Sequence, residues 1–233
     1  MHATLTEPNL TDLLHEGRYL PTDAARLVRL PAATVRRWLA TSPSFDPTQA
    51  PVVRHDETPR GLVSFLDLVE LHMARRLLDE GFKMRTIGRA LREAARIHHV
   101  DHPLARRRFL VDADRLWLPL DGDGDGPVME LDAGGQLWFQ NIVRDHARTI
   151  EFDPSGLATR LWVDGLEAGI VLDPSTGWGR PFLPSVRLHT AALYNLWCGE
   201  RGNYDRVASM YEVDVDAVRR AVEFEAQRQR KAA

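Results

Sequence analysis

A short segment near the N-terminus carries two adjacent arginines, Arg36 and Arg37, and no acidic residue from Ala32 to Ala40. Guanidinium groups donate paired hydrogen bonds to phosphates and to the edges of guanine bases. If the segment is helical, its start would also carry the partial positive charge of the helix dipole. The sequence therefore predicts a DNA-reading helix. The residues predicted to contact DNA, on this helix and on either side of it, are Arg26, Ala33, Thr34, Arg36, Arg37 and Arg54.

Two other clusters contain residue types that bind metal ions. The segment Asp121–Gly126 resembles the start of a calcium-binding loop, but Asp132 stands where a bidentate glutamate is expected and Pro127 follows at once. The second cluster, His98–His102, ends before Pro103, which takes His102 out of helical geometry. We interpret the first as an acidic loop tip and the second as a helix end, and we predict no metal and no cofactor.

Catalytic motifs are not found in the sequence. Cys198 is the only cysteine, has no CxxC partner, and is predicted to be a buried structural thiol. There is neither a glycine-rich phosphate loop nor a GxSxG motif. We therefore predict a protein that is not an enzyme, while a metal-dependent enzyme using the histidine cluster stays open as an alternative that a metal assay would test.

The element that would position the two arginines is a helix pair. Thr22 is the predicted cap of a first helix, a turn follows at Arg29–Pro31, and a second helix runs from about Pro31 to Ala40. A helix, a tight turn and a second helix within about 20 residues have the size of a helix-turn-helix. The turn-rich segment before Leu62-Val63 predicts a β-hairpin wing directly after it.

A second helix pair is predicted near the C-terminus, between Thr190 and Glu225. Its last helix begins with Asp214 and Asp216, directly after Glu212. Carboxylates at this position would repel DNA phosphates, and they are better explained as caps that interact with the helix dipole. We therefore interpret this second pair as part of a protein-association surface.

The remaining patterns predict a mainly α fold with short β-hairpins. A winged helix-turn-helix region is predicted at residues 1–100, a mixed α/β middle region at 101–165, and a small helical domain resembling a helix-turn-helix at 166–233. Predicted helices include one capped by Ser64 that runs to about Asp79 and one from about Met84 to His98. Short strands are predicted at 149–152, 159–163 and 170–172.

Charge divides the 233-residue chain into two halves. Residues 1–120 hold 18 Lys and Arg against 15 Asp and Glu, whereas residues 121–233 hold 12 against 18. The first half suits a polyanion and the second suits a basic partner. There is no apolar run of membrane-spanning length and no N-terminal pattern of a secretory signal, so we expect a cytoplasmic protein.

Two stretches of the sequence resemble known families. Residues 21–27 and 33–39, extended by the predicted wing and the Ser64 helix, resemble the MerR-type winged helix-turn-helix. Residues 171–174 and 177–181 and the three helices after them resemble a small antitoxin-associated domain. The order of the two modules resembles the longer VapB-type antitoxins.

The resemblance implies an antitoxin of a type II toxin–antitoxin pair, which would bind double-stranded DNA at its own promoter and neutralise a PIN-like ribonuclease toxin. A homodimer is expected because one short helix reads few base pairs. Trp178, between two glycines, and Arg180 are the predicted contacts to the toxin, since exposed aromatic and arginine side chains dominate interface energies. The alternative is a ligand-sensing MerR-like transcriptional regulator with a binding cavity between residues 100 and 165.

Overall fold

A computed structural model describes residues 9–39, 61–84, 87, 88, 91, 95, 99–107 and 147–230. Several features predicted from the sequence lie outside these residues. They are Arg54 with the turn of the predicted wing, His98, the acidic loop Asp121–Gly126, and most of the middle region. Each of these features stays a prediction.

Three short helices form the N-terminal part: α1 spans Leu10–His15, α2 spans Pro21–Val28 and α3 spans Ala32–Trp38. The predicted cap at Thr22 is wrong, because α2 begins at Pro21 and has no side-chain cap. Proline is favourable at this first position, since its φ is already helical and it has no N–H that would lack an acceptor. Arg29 ends α2 in the left-handed conformation (φ 58°), which allows a tight turn into α3.

Helix α4 spans Phe65–Asp79 and lies in the centre of the N-terminal part. The predicted cap is confirmed: the Asp67 N–H donates to Ser64 Oγ at 3.0 Å, and the Ser64 N–H donates to the Asp67 carboxylate at 3.0 Å. Most of α4 is buried, including the polar side chains of Glu70 and His72. The described positions of the next predicted helix, residues 84, 87, 88, 91 and 95, are also helical.

Five short strands form one antiparallel sheet in which each strand pairs with the next along the chain. They are β1 (Ile150–Phe152), β2 (Ala158–Trp162), β3 (Val171–Leu172), β4 (Phe182–Leu183) and β5 (Leu188–His189). The sequence predicted the first three but not β4 and β5, because a two-residue strand is too short to show alternation. In the pairing of β2 with β3, Leu161 lies opposite Leu172, so one sheet joins the predicted middle region to the predicted C-terminal domain.

Three helices follow the sheet: α5 spans Thr190–Gly199, α6 spans Tyr204–Tyr211 and α7 spans Val215–Arg230. These agree with the helices predicted between Thr190 and Glu225, although α7 continues beyond Glu225. The start of α5 is tied to α7 by a buried hydrogen bond from the Thr190 hydroxyl to the Glu225 carboxylate. Glu225 also accepts from Arg228 Nη1 at 2.8 Å, so the buried carboxylate is paired with a charge.

The expectation of a mainly helical fold is confirmed in part. Within the described residues there are seven α-helices, together with one five-stranded sheet where separate hairpins were expected. Val63, predicted to flank the wing, pairs with Tyr19 across an isolated bridge. One connected apolar core extends from Leu14 in α1 to Phe224 in α7. Among the described helices, none is both long and apolar enough to cross a membrane.

Candidate functional site

The surface of α3 divides into a buried face and a basic face. Val35, Trp38 and Leu39 are buried in the core, as their helical spacing predicted. On the other side, Ala33 and Arg37 are exposed, and Thr34 and Arg36 are partly exposed. The first turn of α3 contains no acidic residue. The structure therefore brings four of the six predicted DNA contacts together on one short helix.

Arg26 lies on the neighbouring helix α2, where its side chain is exposed. Its Nη1 lies 3.2 Å from the carboxylate of Asp23, one turn earlier in the same helix. An exposed pair of this kind contributes little to stability, so Arg26 can exchange it for another anion at small cost. Arg54, the sixth predicted contact, lies outside the described residues.

The corresponding helix of the C-terminal pair begins with carboxylates, as the sequence predicted. The Asp214 carboxylate accepts a hydrogen bond from the Asp216 N–H at 2.9 Å, which is the geometry of a cap. Asp216 in turn lies 4.0 Å from Arg219 Nε. The start of α7 is therefore already satisfied by groups of its own module.

A second candidate surface is the loop that carries Trp178. Gly177, Trp178 and Gly179 all have positive φ angles (67°, 58° and 71°), and the Trp178 side chain is 75% exposed. Left-handed backbone is unfavourable for a bulky residue and is maintained only where its surroundings enforce it. Arg180, the other predicted contact, is also exposed. The ring of Trp178 therefore does not pack against the C-terminal helices.

Two close contacts enforce the conformation of this loop. The Tyr19 hydroxyl donates to the Gly179 carbonyl at 2.9 Å, and any Cβ at residue 179 would collide with that hydroxyl. A Cβ at residue 177 would collide with the His189 ring. Tyr19 is buried, and this burial raises the pKa of its hydroxyl, which therefore remains a neutral donor at physiological pH. The N-terminal part thus holds a loop that lies 160 residues away in the sequence.

Asp173 anchors the beginning of the same loop. Its carboxylate accepts from the N–H and the hydroxyl of Ser175 at 2.8 and 2.5 Å, from the Thr176 N–H at 3.1 Å, and from Arg160 Nε at 2.7 Å. Burial acts to raise the pKa of Asp173, but the hydrogen bonds from Ser175 and Arg160 outweigh it and lower the pKa. The sequence analysis gave Asp173 no role, although aspartate before Pro-Ser-Thr is typical of a turn closed by its side chain.

The described residues of the histidine cluster do not assemble into a metal site. His102 is buried with φ 52°, whereas His99 is exposed. His102 Nδ1 lies 3.6 Å from Glu70 and 3.9 Å from Asp67 on α4. Within the part of the chain that the structure describes, no group of three His, Cys, Asp or Glu side chains could hold a metal ion.

The prediction of a buried thiol at Cys198 is wrong. Cys198 lies on α5 with its side chain exposed. Its neighbours Leu196 and Trp197 are partly buried against the core, while the helical rotation turns Cys198 toward solvent. The neighbouring apolar residues suggested burial, but packing against α7 selected the other side of the helix.

Comparisons with known proteins bear on the fold alone. No protein-family model matches the sequence, and no curated protein matches it. A crystal structure of Rv2018 from Mycobacterium tuberculosis is similar to this structure with a TM-score of 0.67 and 21% sequence identity. The match covers 88% of this chain and 97% of that one. The architecture of nearly the whole chain is therefore shared with a solved protein.

Proposed function

We propose that this protein is a DNA-binding antitoxin that represses its own promoter and neutralises a PIN-like ribonuclease toxin. One observation carries the proposal: α2 and α3 form a tightly joined helix pair whose second helix exposes Ala33 and Arg37, next to Thr34 and Arg36, without an acidic residue in its first turn. A helix of this kind fits the DNA major groove, where it approaches phosphates and base edges.

The C-terminal part supports the second half of the proposal. Trp178 presents a large apolar ring to solvent from a loop whose backbone is fixed by Tyr19 and His189. A rigid exposed tryptophan next to an exposed arginine is the residue combination that dominates protein–protein binding energies. The acidic excess of residues 121–233 complements the basic groove expected of a nuclease that binds RNA.

A homodimer belongs to the same proposal. One seven-residue helix contacts only a few base pairs, which gives too little discrimination for a promoter. Two copies on two half-sites would double the contacts and match the symmetry of a palindromic operator.

The test of DNA binding is the double variant Arg36→Ala with Arg37→Ala in the full chain. It removes two charged contacts, so binding to the DNA upstream of the protein's own gene should weaken by about 2–4 kcal/mol in a mobility-shift assay. The matched control is Arg219→Ala with Arg220→Ala, which removes the same charge from α7 and should change the affinity by less than about 0.5 kcal/mol. Unchanged affinity of a folded Arg36/Arg37 variant at physiological salt would reject the assignment of α3.

A further inference from the structure

A recess lies between α2, the first helix of the N-terminal pair, and α7, the last helix of the protein. It is small and partly open to solvent. The lining residues are Arg26, Leu27, Arg29, Phe224, Gln227 and Arg228. Three guanidinium groups from two helices far apart in sequence therefore converge on one small space, with Leu27 and Phe224 as its apolar part.

The walls of this recess contain no carboxylate. Each lining arginine has an acidic partner outside the walls: Asp23 for Arg26 at 3.2 Å, Asp164 for Arg29 at 2.5 Å, and Glu225 for Arg228 at 2.8 Å. In every pair the carboxylate is bound by a single terminal nitrogen of the arginine. The other N–H groups of each guanidinium remain available as donors, because arginine carries five.

One donor of a lining arginine has no acceptor within the part of the chain that the structure describes. Arg228 Nε is buried and makes no hydrogen bond to any described residue. A buried donor left without an acceptor costs free energy, and such groups are rare in folded proteins. Arg228 is also held in place, since its guanidinium carbon lies 5.5 Å from the centre of the Phe224 ring while Nη1 binds Glu225.

The surroundings of the recess have an excess of positive charge. Arg29 is fixed at the left-handed end of α2, and its Nη2 donates to Gln227 at 3.1 Å as well as to Asp164. Arg76 of α4 is close enough that burial, and then the charge of Arg29, lower its pKa. Arg29 and Arg76 thus share the negative charge of one carboxylate, Asp164, which favours the binding of an additional anion.

We propose that this recess binds a phosphate group, with Arg26, Arg29 and Arg228 as its ligands. Guanidinium groups match the oxygens of a phosphate in pairs, and a site on two helices bridges α2 to α7 through the ligand. The phosphate comes either from the backbone of DNA or from a free phosphorylated molecule. The proposal goes beyond DNA reading by α3, because it assigns a binding role to the C-terminal helix α7.

The competing interpretation is that the three arginines only hold α2 against α7 through their ion pairs. The two interpretations differ in one measurable respect. If the arginines are purely structural, the environment of their guanidinium groups changes with ionic strength, whatever the salt. If they form a binding site, that environment changes saturably with phosphate at constant ionic strength.

The experiment follows the Nε–H resonances of the arginines in the ¹⁵N-labelled full chain during titration with inorganic phosphate, with sodium chloride at equal ionic strength as the reference. The resonances of Arg26, Arg29 and Arg228 should shift saturably with phosphate and not with chloride. Arg187, an exposed arginine outside the recess, should not respond. Absence of a saturable shift at Arg228 would overturn the proposal without the use of any variant.

The variant Arg26→Gln tests the site independently. Its ion pair lies within one helix and is exposed, so its loss leaves the contact between α2 and α7 intact. Phosphate affinity should fall about tenfold or more, as expected for the loss of a charged hydrogen-bond donor. Arg187→Gln removes the same charge elsewhere and should change the affinity by less than about twofold. An equal loss in both folded variants would reject the recess as the site.

A second titration with a short duplex DNA distinguishes the two sources of phosphate. If the duplex shifts the same three resonances and prevents the response to inorganic phosphate, the ligand is the DNA backbone. If inorganic phosphate binds and the duplex leaves the three resonances unchanged, the ligand is a free phosphorylated molecule. Both results support a phosphate site, and a lack of response to inorganic phosphate rejects it.

Discussion

In both helix pairs of this protein, the first helix ends at a residue in the left-handed conformation, Arg29 (φ 58°) after α2 and Glu212 (φ 54°) after α6. The next backbone N–H, of Leu30 or of Val213, donates to the carbonyl five residues earlier at 2.9 or 3.0 Å. Neither pair uses the glycine that usually occupies this position. The two turns are therefore built in the same way.

The second helices of the two pairs also share a sequence. Val35-Arg36-Arg37 in α3 corresponds to Val218-Arg219-Arg220 in α7, and both valines are fully buried. The first turns differ, because α3 begins with alanines whereas Asp214 and Asp216 stand at the start of α7. Arg219 is engaged by Asp216 and lies 4.9 Å from the centre of the Tyr204 ring.

Under the proposed function, backbone geometry and an arginine pair do not by themselves distinguish a DNA-reading helix from a structural one. We propose that the nearby carboxylates make the distinction, since they cap their own helix, engage Arg219 and repel phosphates. We therefore propose base reading for the N-terminal pair and a protein partner for the C-terminal part, and the following predictions test that division.

The largest effect is expected from Trp178→Ala, which tests the partner assignment of the C-terminal part. Because the side chain is 75% exposed, its removal should leave the melting temperature nearly unchanged. Binding to the proposed toxin should weaken by about 2–4 kcal/mol, the range for the loss of an aromatic anchor, so co-purification should be abolished. Tyr211→Ala, at an exposed aromatic outside this loop, serves as the control and should retain the toxin. An unstable Trp178 variant that still binds the toxin would contradict the anchor role.

A smaller effect is expected when α3 is given an aspartate in its first turn, as α7 has. Ala33 occupies the position that corresponds to Asp216, and Ala33→Asp should weaken DNA binding by about 2 kcal/mol, or about thirtyfold, through repulsion of phosphates. The same aspartate should raise the stability of the protein by about 0.3–1 kcal/mol, because it interacts favourably with the start of the helix. The DNA affinity measured by mobility shift should therefore fall, while the stability measured by thermal unfolding should rise.

The neutral variant Ala33→Asn provides the control for this prediction. It has nearly the size of aspartate without the charge, and it should keep most of the DNA affinity. If asparagine and aspartate weaken DNA binding equally, the size of the side chain is responsible and the charge comparison between α3 and α7 fails.

Local patterns in the sequence were sufficient to predict most of the described helices after α1, and the buried face of α3. The spacing of Val35, Trp38 and Leu39 identified that face, and Ser64 with Asp67 marked the start of α4. Both features depend on interactions within about one turn of helix, which is why a single sequence shows them.

Features made by residues far apart in sequence could not be predicted in this way. The contact of Tyr19 with Gly179 and the convergence of Arg26 with Arg228 join residues separated by most of the chain. The strands β4 and β5 exist because they extend an existing sheet, and Cys198 is exposed because α5 packs against α7 through its other side. Tertiary packing decided each of these outcomes, and local propensity carries no information about it.

The smallest effect is expected at the cap of α7, where Asp214→Ala should lower the free energy of unfolding by about 1 kcal/mol. The reason is the loss of the hydrogen bond from the Asp216 N–H to the Asp214 carboxylate, for which alanine offers no replacement. Asp214→Asn keeps an acceptor oxygen and should retain most of the stability in denaturant titrations. Because α7 is not assigned to base reading, DNA affinity should stay within about twofold of the original for both variants. An increase in DNA affinity on removal of Asp214 would mean that the C-terminal pair faces the phosphates, and the division between the two helix pairs would then be wrong.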